Sequence, residues 1–341
     1  METDLISIRD LRKDDIEEVL GLAAKYKSRS PASENIDVGE KVLGTLFFEP
    51  STRTRLSFES AMLRLGGKTL GFGSVESSSI MKGERFSDTV RTFSHYCDLM
   101  VVRHPSEGSA RLASELSAIP VINGGDGPNQ HPTQALCDLF TIEMDKKRLD
   151  LKVALAGDLL YGRTVHSLAQ ALALFGSDIL FISPSSLRFP SYLKEEIAQM
   201  GIRVEEDDDL KKAKDCDVLY MTRIQKERMS EKAYEKVKNC FVVRKEDFED
   251  SDTLIMHPLP RVNEIEREMD DLPNARYFDQ VRDSVPVRMA LIDLILNGKL
   301  EVCEGETEKG KCPNQRCITN VESMDTKVEK GRCLYCEKPL D

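Results

Sequence analysis

Short apolar runs alternate with helical patterns along the chain almost to residue 300. The runs are rich in β-branched and large aliphatic residues, and polar segments separate them. The predicted strands are Thr45–Phe48, Leu99–Val102, Val121–Asn123, Val153–Gly157, Ile179–Ser183, Val218–Met221 and Leu254–Met256. Because continuous apolar strands separated by helices are typical of parallel sheets covered on both faces, the pattern predicts an α/β fold.

Two helical patterns organise this part of the chain. One runs from about Pro132 to Lys147 and joins two doubly wound parallel sheets, and a final one runs from about Val285 to Asn297. The tract that follows is rich in Glu, Gly, Lys and Thr, as linkers are. The predicted division is a first domain over 1–133 completed by a C-terminal helix over 284–300, a second domain over 134–283, a linker over 301–311 and a small C-terminal β domain over 312–341.

Charge and composition narrow the classes of function. The 341 residues carry a formal net charge of −11, whereas nucleic acids and anionic membranes bind basic surfaces, so neither is expected as a partner. No apolar run approaches the roughly 20 residues that span a bilayer. The acidic start Met1–Asp4 lacks the regions of a signal peptide, and most cysteines are scattered as reduced thiols are. These features predict a cytoplasmic location.

The stretch Glu49–Arg55 joins a predicted strand to a predicted helix and reads Glu-Pro-Ser-Thr-Arg-Thr-Arg. At a helix N-terminus, free N–H groups and the positive end of the helix dipole favour an anion. The hydroxyl groups of this stretch and Arg53 add charge-assisted hydrogen bonds suited to a phosphoryl group. A shorter Ser-Thr-Arg string would equally fit an N-cap followed by surface arginines, but the seven-residue string is more specific.

Two further polar motifs follow predicted strands of the first domain. Arg103-His104-Pro105 follows one strand, and Asn129–Gln134 opens a helix after the glycine-rich turn Gly124–Pro128. Open α/β sheets bind ligands at the carboxyl ends of their strands. Taken alone, either motif also fits a helix cap or a structural loop histidine.

Together and in this order, the three motifs resemble those of the transcarbamylases, the family of aspartate and ornithine carbamoyltransferases. The resemblance implies that the first domain binds carbamoyl phosphate. The residues that it implies for the phosphate are Ser51, Thr52, Arg53, Thr54 and Arg103, and those around the carbamoyl group are Thr54, Arg103, His131 and Gln134. Donors aimed at the carbonyl oxygen would stabilise the oxyanion that forms when an amine attacks. Arg53, Thr54, Arg103, His131 and Gln134 are therefore the expected catalytic residues.

The polar loop Ser77–Glu84 contains one lysine. In the family, a serine and a lysine of this loop enter the active site of the neighbouring subunit. Lys82 matches that lysine and is expected to bind substrate and assist catalysis, while Ser78 is the better match for the serine and Ser79 stays an alternative. A solvated serine-rich loop is the competing interpretation. The resemblance thus implies a homotrimer with shared active sites.

Three motifs after strands of the second domain select the amine substrate. The residues that match the aspartate-binding residues of aspartate transcarbamylases are Arg163, Arg223, Gln225, Pro258 and Leu259. Two carboxylates need planar cationic forks, whereas the ammonium group of ornithine would be repelled by Arg223. Ornithine enzymes also typically carry cysteine at the position of Pro258. One departure from the aspartate enzymes is Leu160, where they often have lysine.

The activity that this resemblance implies is carbamoyl transfer to L-aspartate, which yields N-carbamoyl-L-aspartate and phosphate in de novo pyrimidine biosynthesis. The amine attacks an activated carbonyl directly, so no catalytic cofactor is expected. The alternatives are a transcarbamylase for another amine, such as ornithine, and a non-catalytic scaffold whose tail is an interaction surface. The cationic residues at the motif positions argue against the scaffold.

Four cysteines are concentrated in the tail, as Cys312-x4-Cys317, fifteen residues, and then Cys333-x2-Cys336. This spacing is typical of structural zinc, and so short a segment is expected to fold only with the metal. We therefore predict one zinc per chain and a free thiol at Cys303. The local sequences resemble the zinc domain of the aspartate transcarbamylase regulatory chain, here fused to a catalytic chain. Whether the tail joins trimers into a higher oligomer is left open.

Overall fold

A computed structural model describes residues 4–28, 38–72, 83–299 and 307–340 of the protein. In these ranges the helices are α1 Lys13–Ser28, α2 Thr52–Arg64, α3 Phe86–Phe93, α4 Ser109–Leu116, α5 Pro132–Lys146, α6 Arg163–Leu174, α7 Ser191–Ala198, α8 Glu231–Val237, α9 Lys245–Phe248, α10 Tyr277–Leu296 and α11 Ile318–Val321. The strands are β1 Val42–Phe47, β2 Lys68–Phe72, β3 Leu99–His104, β4 Val121–Asp126, β5 Lys152–Ala156, β6 Asp178–Ile182, β7 Val204–Asp207, β8 Val218–Met221, β9 Leu254–Met256, β10 Glu308–Gly310, β11 Thr326–Glu329 and β12 Arg332–Cys333.

The chain divides into two compact units. Unit 1 comprises Met1–Thr133 and Ser284–Asp341, and unit 2 comprises Gln134–Asp283. Unit 1 contains a four-stranded parallel sheet in the order β2-β1-β3-β4, and unit 2 a five-stranded parallel sheet in the order β7-β6-β5-β8-β9. The central strands are buried because they consist of continuous aliphatic runs, such as Leu99–Val102. The predicted α/β fold with parallel sheets is confirmed.

Two strands of the parallel sheets were not predicted from the hydrophobic pattern. β2 and β7 lie at the sheet edges and are only partly buried, so their sequences, Lys-Thr-Leu-Gly-Phe and Val-Glu-Glu-Asp, are mixed or polar. An edge position allows such partial exposure but does not impose it, since the edge strands β4 and β9 are buried. The apolar pattern therefore detects the seven buried strands and leaves out these two.

The last long helix begins earlier than the sequence suggests. The predicted start at Val285 placed Pro286 in the first helical turn, where proline is tolerated. In the structure α10 begins at Tyr277 and contains Pro286 in its interior. Within unit 1 this helix is held by the buried Arg288, whose guanidinium lies 5.0 Å from the centre of the Phe58 ring, and by Tyr26, whose hydroxyl donates to Asp293 at 2.7 Å.

The tail forms a three-stranded antiparallel sheet in the order β10-β11-β12 and packs against the rest of unit 1. Ile318 and Tyr335 of the tail share a hydrophobic cluster with Ala110 and Leu112 of α4. The tail backbone approaches closely at Gly108, which has a φ of +80° and where a Cβ atom would lie 2.5 Å from the carbonyl carbon of Tyr335. Only glycine suits this position, because both its backbone conformation and the neighbouring backbone exclude a side chain.

Candidate active site and metal centre

The carboxyl ends of three neighbouring strands define one candidate site in unit 1. β1, β3 and β4 are adjacent and parallel, so the segments that follow them begin at the same edge of the sheet. These segments carry the three sequence motifs of the first domain. Ligands of open α/β sheets bind at this edge.

The first segment leads into the N-terminus of α2. Ser51 is the N-cap residue with an extended backbone, Thr52 and Arg53 are exposed in the first turn, and Thr54 is buried. The Thr54 hydroxyl oxygen lies 3.4 Å from Nε2 of His131, and Nδ1 of that ring lies 3.4 Å from the Thr133 hydroxyl. The structure thus brings the phosphate motif and the predicted catalytic histidine together.

Arg103 is the next-to-last residue of β3 and lies beside the same edge. Its Nη1 donates to the carbonyl oxygen of Gly124 at 3.3 Å, and its Nε lies 3.6 Å from a carboxylate oxygen of Glu49. The next residue, His104, packs between Phe48 and Phe86, and its Nδ1 accepts a hydrogen bond from the backbone of Ser106 at 3.0 Å. Burial lowers the pKa of His104 to about 4, so this histidine is neutral and structural.

Asp126 organises the loop that precedes His131, and the sequence motifs did not reveal it. The buried carboxylate accepts hydrogen bonds from four donors: the backbone of Gly108 at 2.6 Å, the side chain of Asn123 at 2.9 Å, the side chain of Asn129 at 2.9 Å and the backbone of Gln130 at 3.0 Å. Burial raises its pKa to about 7, although the four donors favour the charged form. An acidic residue inside a glycine- and asparagine-rich turn was the available signal.

In unit 2 the corresponding edge lies at the ends of β5, β8 and β9, which are also adjacent and parallel. Asp158, which follows β5, is fully buried and accepts hydrogen bonds from the backbone N–H groups of Tyr161 at 3.0 Å and Gln225 at 3.1 Å. It therefore ties the segment before Arg163 to the segment that contains Arg223. Burial raises the pKa of Asp158, and the sequence motifs assigned it no role.

The two predicted aspartate-binding arginines lie at these segments. Arg163 is the first residue of α6 and is largely buried. Arg223 forms a bidentate ion pair with Glu227, with 3.0 Å between Nη1 and Oε2, and this hydrogen bonding raises the arginine pKa. Glu227 was missed, although its spacing of four residues from Arg223 was a signal. A carboxylate substrate at Arg223 would have to share the guanidinium with Glu227 or displace it.

Two glutamine side chains of the prediction have protein partners. The side-chain Oε1 of Gln225 accepts a hydrogen bond from Nε of Arg228 at 3.0 Å. Gln134, at the start of α5, donates its amide to Asp138 at 2.8 Å within unit 2. Both side chains are therefore oriented by hydrogen bonds.

The turn after β9 is held by a histidine–glutamate pair. Nδ1 of His257 accepts the backbone N–H of Leu259 at 2.8 Å, so Nε2 carries the proton of the neutral ring and donates to Glu264 at 2.8 Å. Burial is the largest effect on the Glu264 pKa and acts to raise it, but the interaction with His257 and the hydrogen bonds from backbone N–H groups together outweigh burial, and the pKa is lowered. Pro258 and Leu259 lie inside this turn, where Leu259 has a φ of +55° and precedes a cis peptide bond. Glu264 also acts electrostatically on Arg223 and raises its pKa, so the two segments are neighbours.

Some predicted residues lie outside the described ranges. They are Ser78, Ser79, Lys82 and Cys303.

The four tail cysteines converge in a buried cluster. Their Sγ atoms lie within 4.8 Å of one another, with 3.6 Å between Cys312 and Cys336 and 3.7 Å between Cys317 and Cys333. Tetrahedral zinc with bonds of about 2.3 Å separates its sulfur ligands by roughly 3.8 Å. The Thr319 hydroxyl donates to the sulfur of Cys317 at 3.2 Å, as an outer partner of a metal ligand does. The four residues therefore fit one metal ion.

Comparison with known proteins defines the class of protein. Residues 3–144 match the family model "Aspartate/ornithine carbamoyltransferase, carbamoyl-P binding domain", and residues 149–295 match "Aspartate/ornithine carbamoyltransferase, Asp/Orn binding domain". The chain belongs to the aspartate/ornithine carbamoyltransferase family. Residues beyond 295, including the four-cysteine tail, lie outside both models.

Individual relatives within the family are aspartate enzymes. The chain is 55% identical over 301 residues to the aspartate carbamoyltransferase catalytic subunit of Methanopyrus kandleri, with 86% of this chain and 97% of the relative covered. The catalytic subunit of M. jannaschii aspartate transcarbamoylase is similar in structure, with a TM-score of 0.80, 48% identity and coverage of 87% and 98%. Trypanosoma cruzi aspartate transcarbamoylase in complex with carbamoyl phosphate and aspartate gives a TM-score of 0.80 at 35% identity, with coverage of 85% and 96%.

Among the described residues, none of the helices combines the length and the apolar character that crossing a membrane requires.

Proposed function

We propose that this chain is the catalytic chain of an aspartate carbamoyltransferase, which transfers the carbamoyl group of carbamoyl phosphate to the α-amine of L-aspartate and releases phosphate. The observation that carries the choice of aspartate is the arrangement in unit 2. There Arg163, Arg223 and the turn at Leu259 all lie at the carboxyl ends of adjacent strands, where two cationic forks suit a dicarboxylate. The product would serve de novo pyrimidine biosynthesis.

In this proposal the N-terminus of α2 binds the phosphate. Ser51, Thr52, Arg53 and Thr54 supply backbone and side-chain donors, and Arg103 adds a second guanidinium. The contact between Thr54 and His131 supports this assignment, because it places the ring beside the phosphate motif. Carbamoyl phosphate binding is assigned to 1–133 with 284–300, and aspartate binding to 134–283, in keeping with the family descriptions.

The proposed reaction is an acyl transfer without a covalent enzyme intermediate. The amine lone pair forms the new C–N bond, and the carbonyl oxygen takes up negative charge beside Thr54, Arg103, His131 and Gln134. The C–O bond to phosphate then breaks, phosphate leaves with the electron pair, and the nitrogen loses a proton. His131 acts as a neutral donor to the carbonyl oxygen. Positioning of the two substrates supplies much of the acceleration.

The ligand of the four cysteines is assigned as one structural zinc per chain. The choice of zinc is supported by four thiolates in a closed, buried set with tetrahedral spacing, because such sets are typical of structural zinc. No part of the carbamoyl transfer is assigned to this metal. The cytoplasmic location inferred from the sequence stays a prediction.

The test of the proposed function compares L-aspartate, ornithine and N-acetylornithine as acceptors. Turnover with aspartate alone is expected. Arg223→Ala should raise the KM for aspartate about 10- to 100-fold, since hydrogen bonds to charged groups contribute about 1.5–3 kcal/mol. Arg203→Ala removes an exposed arginine of the same unit and should leave this KM unchanged. Faster turnover with either ornithine substrate would contradict the proposal.

The proposed assembly is a homotrimer in which Lys82 and Ser78 or Ser79 complete the active site of a neighbour. Mixing Lys82→Ala protein with Arg53→Ala protein should then restore activity, because each hybrid trimer contains one site with both residues intact. The measurement is the specific activity after subunit exchange, with exchange followed by mass spectrometry of differently tagged chains. Complete exchange without regained activity would contradict shared sites.

A further inference from the structure

The tail contacts the segment that carries the predicted catalytic histidine. Glu337, the residue after the cysteine Cys336, accepts a hydrogen bond from the side-chain amide of Gln130 at 3.0 Å and lies 3.2 Å from Nε of Arg9. Gln130 directly precedes His131, and both are buried. A carboxylate next to a metal ligand therefore holds the residue next to the proposed catalytic ring.

We propose that Glu337 is a positioning residue for His131, so that metal binding in the tail sets the affinity of the active site for carbamoyl phosphate. The proposal rests on the function proposed above. Glu337 would not touch the substrate. Its effect would pass through Gln130 to the orientation of His131.

The tail fixes Glu337 through the turn that contains the two preceding cysteines, Cys333 and Cys336. The backbone N–H of Glu337 donates to the carbonyl oxygen of Cys333 at 2.9 Å, and that of Cys333 donates to the carbonyl oxygen of Lys338 at 2.9 Å. Both hydrogen bonds lie within the turn that presents Cys333 and Cys336 to the metal. Metal binding therefore stabilises the backbone conformation that points Glu337 at Gln130.

Gln130 transmits the position of Glu337 because its backbone is also held. Its N–H donates to Asp126 at 3.0 Å, and its carbonyl oxygen accepts the Asp126 N–H at 3.2 Å. The side chain is fixed at the far end by Glu337. Because its main chain and its side chain are both hydrogen-bonded, Gln130 has little conformational freedom. The backbone of the adjacent His131 is restricted as a result.

The tail also contacts Glu107, which precedes one of the hydrogen-bond donors to Asp126. Glu107 is fully buried, and its carboxylate lies 2.6 Å from Nζ of Lys338. Its backbone N–H donates to the carbonyl oxygen of Arg316, and its carbonyl oxygen accepts the N–H of Ile318. The next residue, Gly108, donates to Asp126. The tail thus holds both segments that meet at Asp126.

Other contacts dock the tail without involving this network. Ser87 of α3 donates to Glu322 at 2.8 Å, and Glu115 of α4 receives Lys327 and the Tyr335 hydroxyl, both at 3.0 Å. Removing one of them weakens docking but leaves Glu337 and Gln130 in place. Glu322→Gln is therefore a matched control for Glu337→Gln, because both remove one negative charge from a docking contact of the tail.

The experiment measures carbamoyl phosphate binding by calorimetry, together with the metal content and the protease resistance of the tail. We expect Glu337→Ala to raise the dissociation constant for carbamoyl phosphate about tenfold or more. Glu337→Gln should raise it less. Metal content should stay at one per chain, and Glu322→Gln should bind as the unchanged protein does. Wild-type affinity in Glu337→Ala, or an equal loss in Glu322→Gln, would overturn the proposal.

If Glu337→Ala loosens the tail, exchanging the amide and the carboxylate between Gln130 and Glu337 still tests the proposal. Gln130→Glu alone places two carboxylates together and should weaken binding strongly, whereas Gln130→Glu with Glu337→Gln restores an amide–carboxylate pair and should recover most of the affinity. A double variant as weak as Gln130→Glu would overturn the proposal. Because carbamoyl phosphate binding is read directly, failure of this inference is distinct from a failure to turn over aspartate.

Discussion

Arg53→Ala is expected to lower kcat/KM for carbamoyl phosphate by about 10²–10³, the usual cost of removing one preorganised donor from a site of charge development. Arg53 lies in the first turn of α2, where free backbone N–H groups and the helix dipole already favour an anion. In the proposed site its guanidinium would add two parallel donors to the phosphate. The loss should therefore affect both binding and departure of the phosphate, and steady-state kinetics with saturating aspartate will measure it.

Two further variants separate charge from geometry in this prediction. Arg53→Lys keeps the positive charge but loses the planar fork, so its kcat/KM should fall between those of the alanine variant and the unchanged protein. Arg64→Ala removes an exposed arginine from the last turn of the same helix and should change kcat/KM by less than about twofold. An Arg53→Ala enzyme within threefold of the unchanged protein would mean that phosphate binds elsewhere.

The inner strands were predictable because burial on both faces imposes an aliphatic run. Leu99–Val102 and Val218–Met221 are examples, and both are central strands in the structure. The edge strands β2 and β7 were not predictable from that pattern, since they are only partly buried. The start of α10 was wrong because Pro286 fits a first turn better than an interior, and tertiary packing of the helix outweighed that local preference.

The candidate site was predictable as far as its motifs follow strands. Thr54 and His131 are 77 residues apart in sequence and meet because β1 and β4 flank the same central strand. The sequence motifs did not identify the buried carboxylates of Asp126 and Asp158, because a sequence does not show that the backbone N–H groups of the distant residues Gly108 and Gln225 donate to them. Loop carboxylates of this kind look like solvated surface residues until the loops are placed.

The position of the tail depends on contacts that no local pattern contains. The spacing of the four cysteines predicted the metal cluster, but not the surface against which it packs. That surface is defined by pairs that are distant in sequence, such as Gln130 with Glu337 and Glu115 with Tyr335. Glu107 in particular is an ordinary loop glutamate by sequence and a fully buried one in the structure.

Cys317→Ser is expected to abolish metal binding and to release the tail from unit 1. A short three-stranded sheet has too small a core to fold alone, so its folding free energy must come from the four thiolate bonds and from docking. Loss of the docked Ile318 and Tyr335 costs about 1.5–3 kcal/mol for each side chain. The first thermal transition should therefore fall by roughly 10 °C or more. Metal analysis should give one ion per chain before the change and none after it.

A control variant and the solution mass of the protein show whether the loss of metal affects only the tail or also the assembly. Cys240→Ser replaces an exposed thiol outside the cluster and should keep both the metal and the melting temperature. Light scattering should give the mass of the proposed trimer both before and after the loss of metal, because the tail docks on its own chain and the four cysteines of one chain complete the cluster. A larger particle that falls to trimers would show that docked tails also join one trimer to another. A tail that stays resistant to protease without metal would contradict the dependence of its folding on the four cysteines.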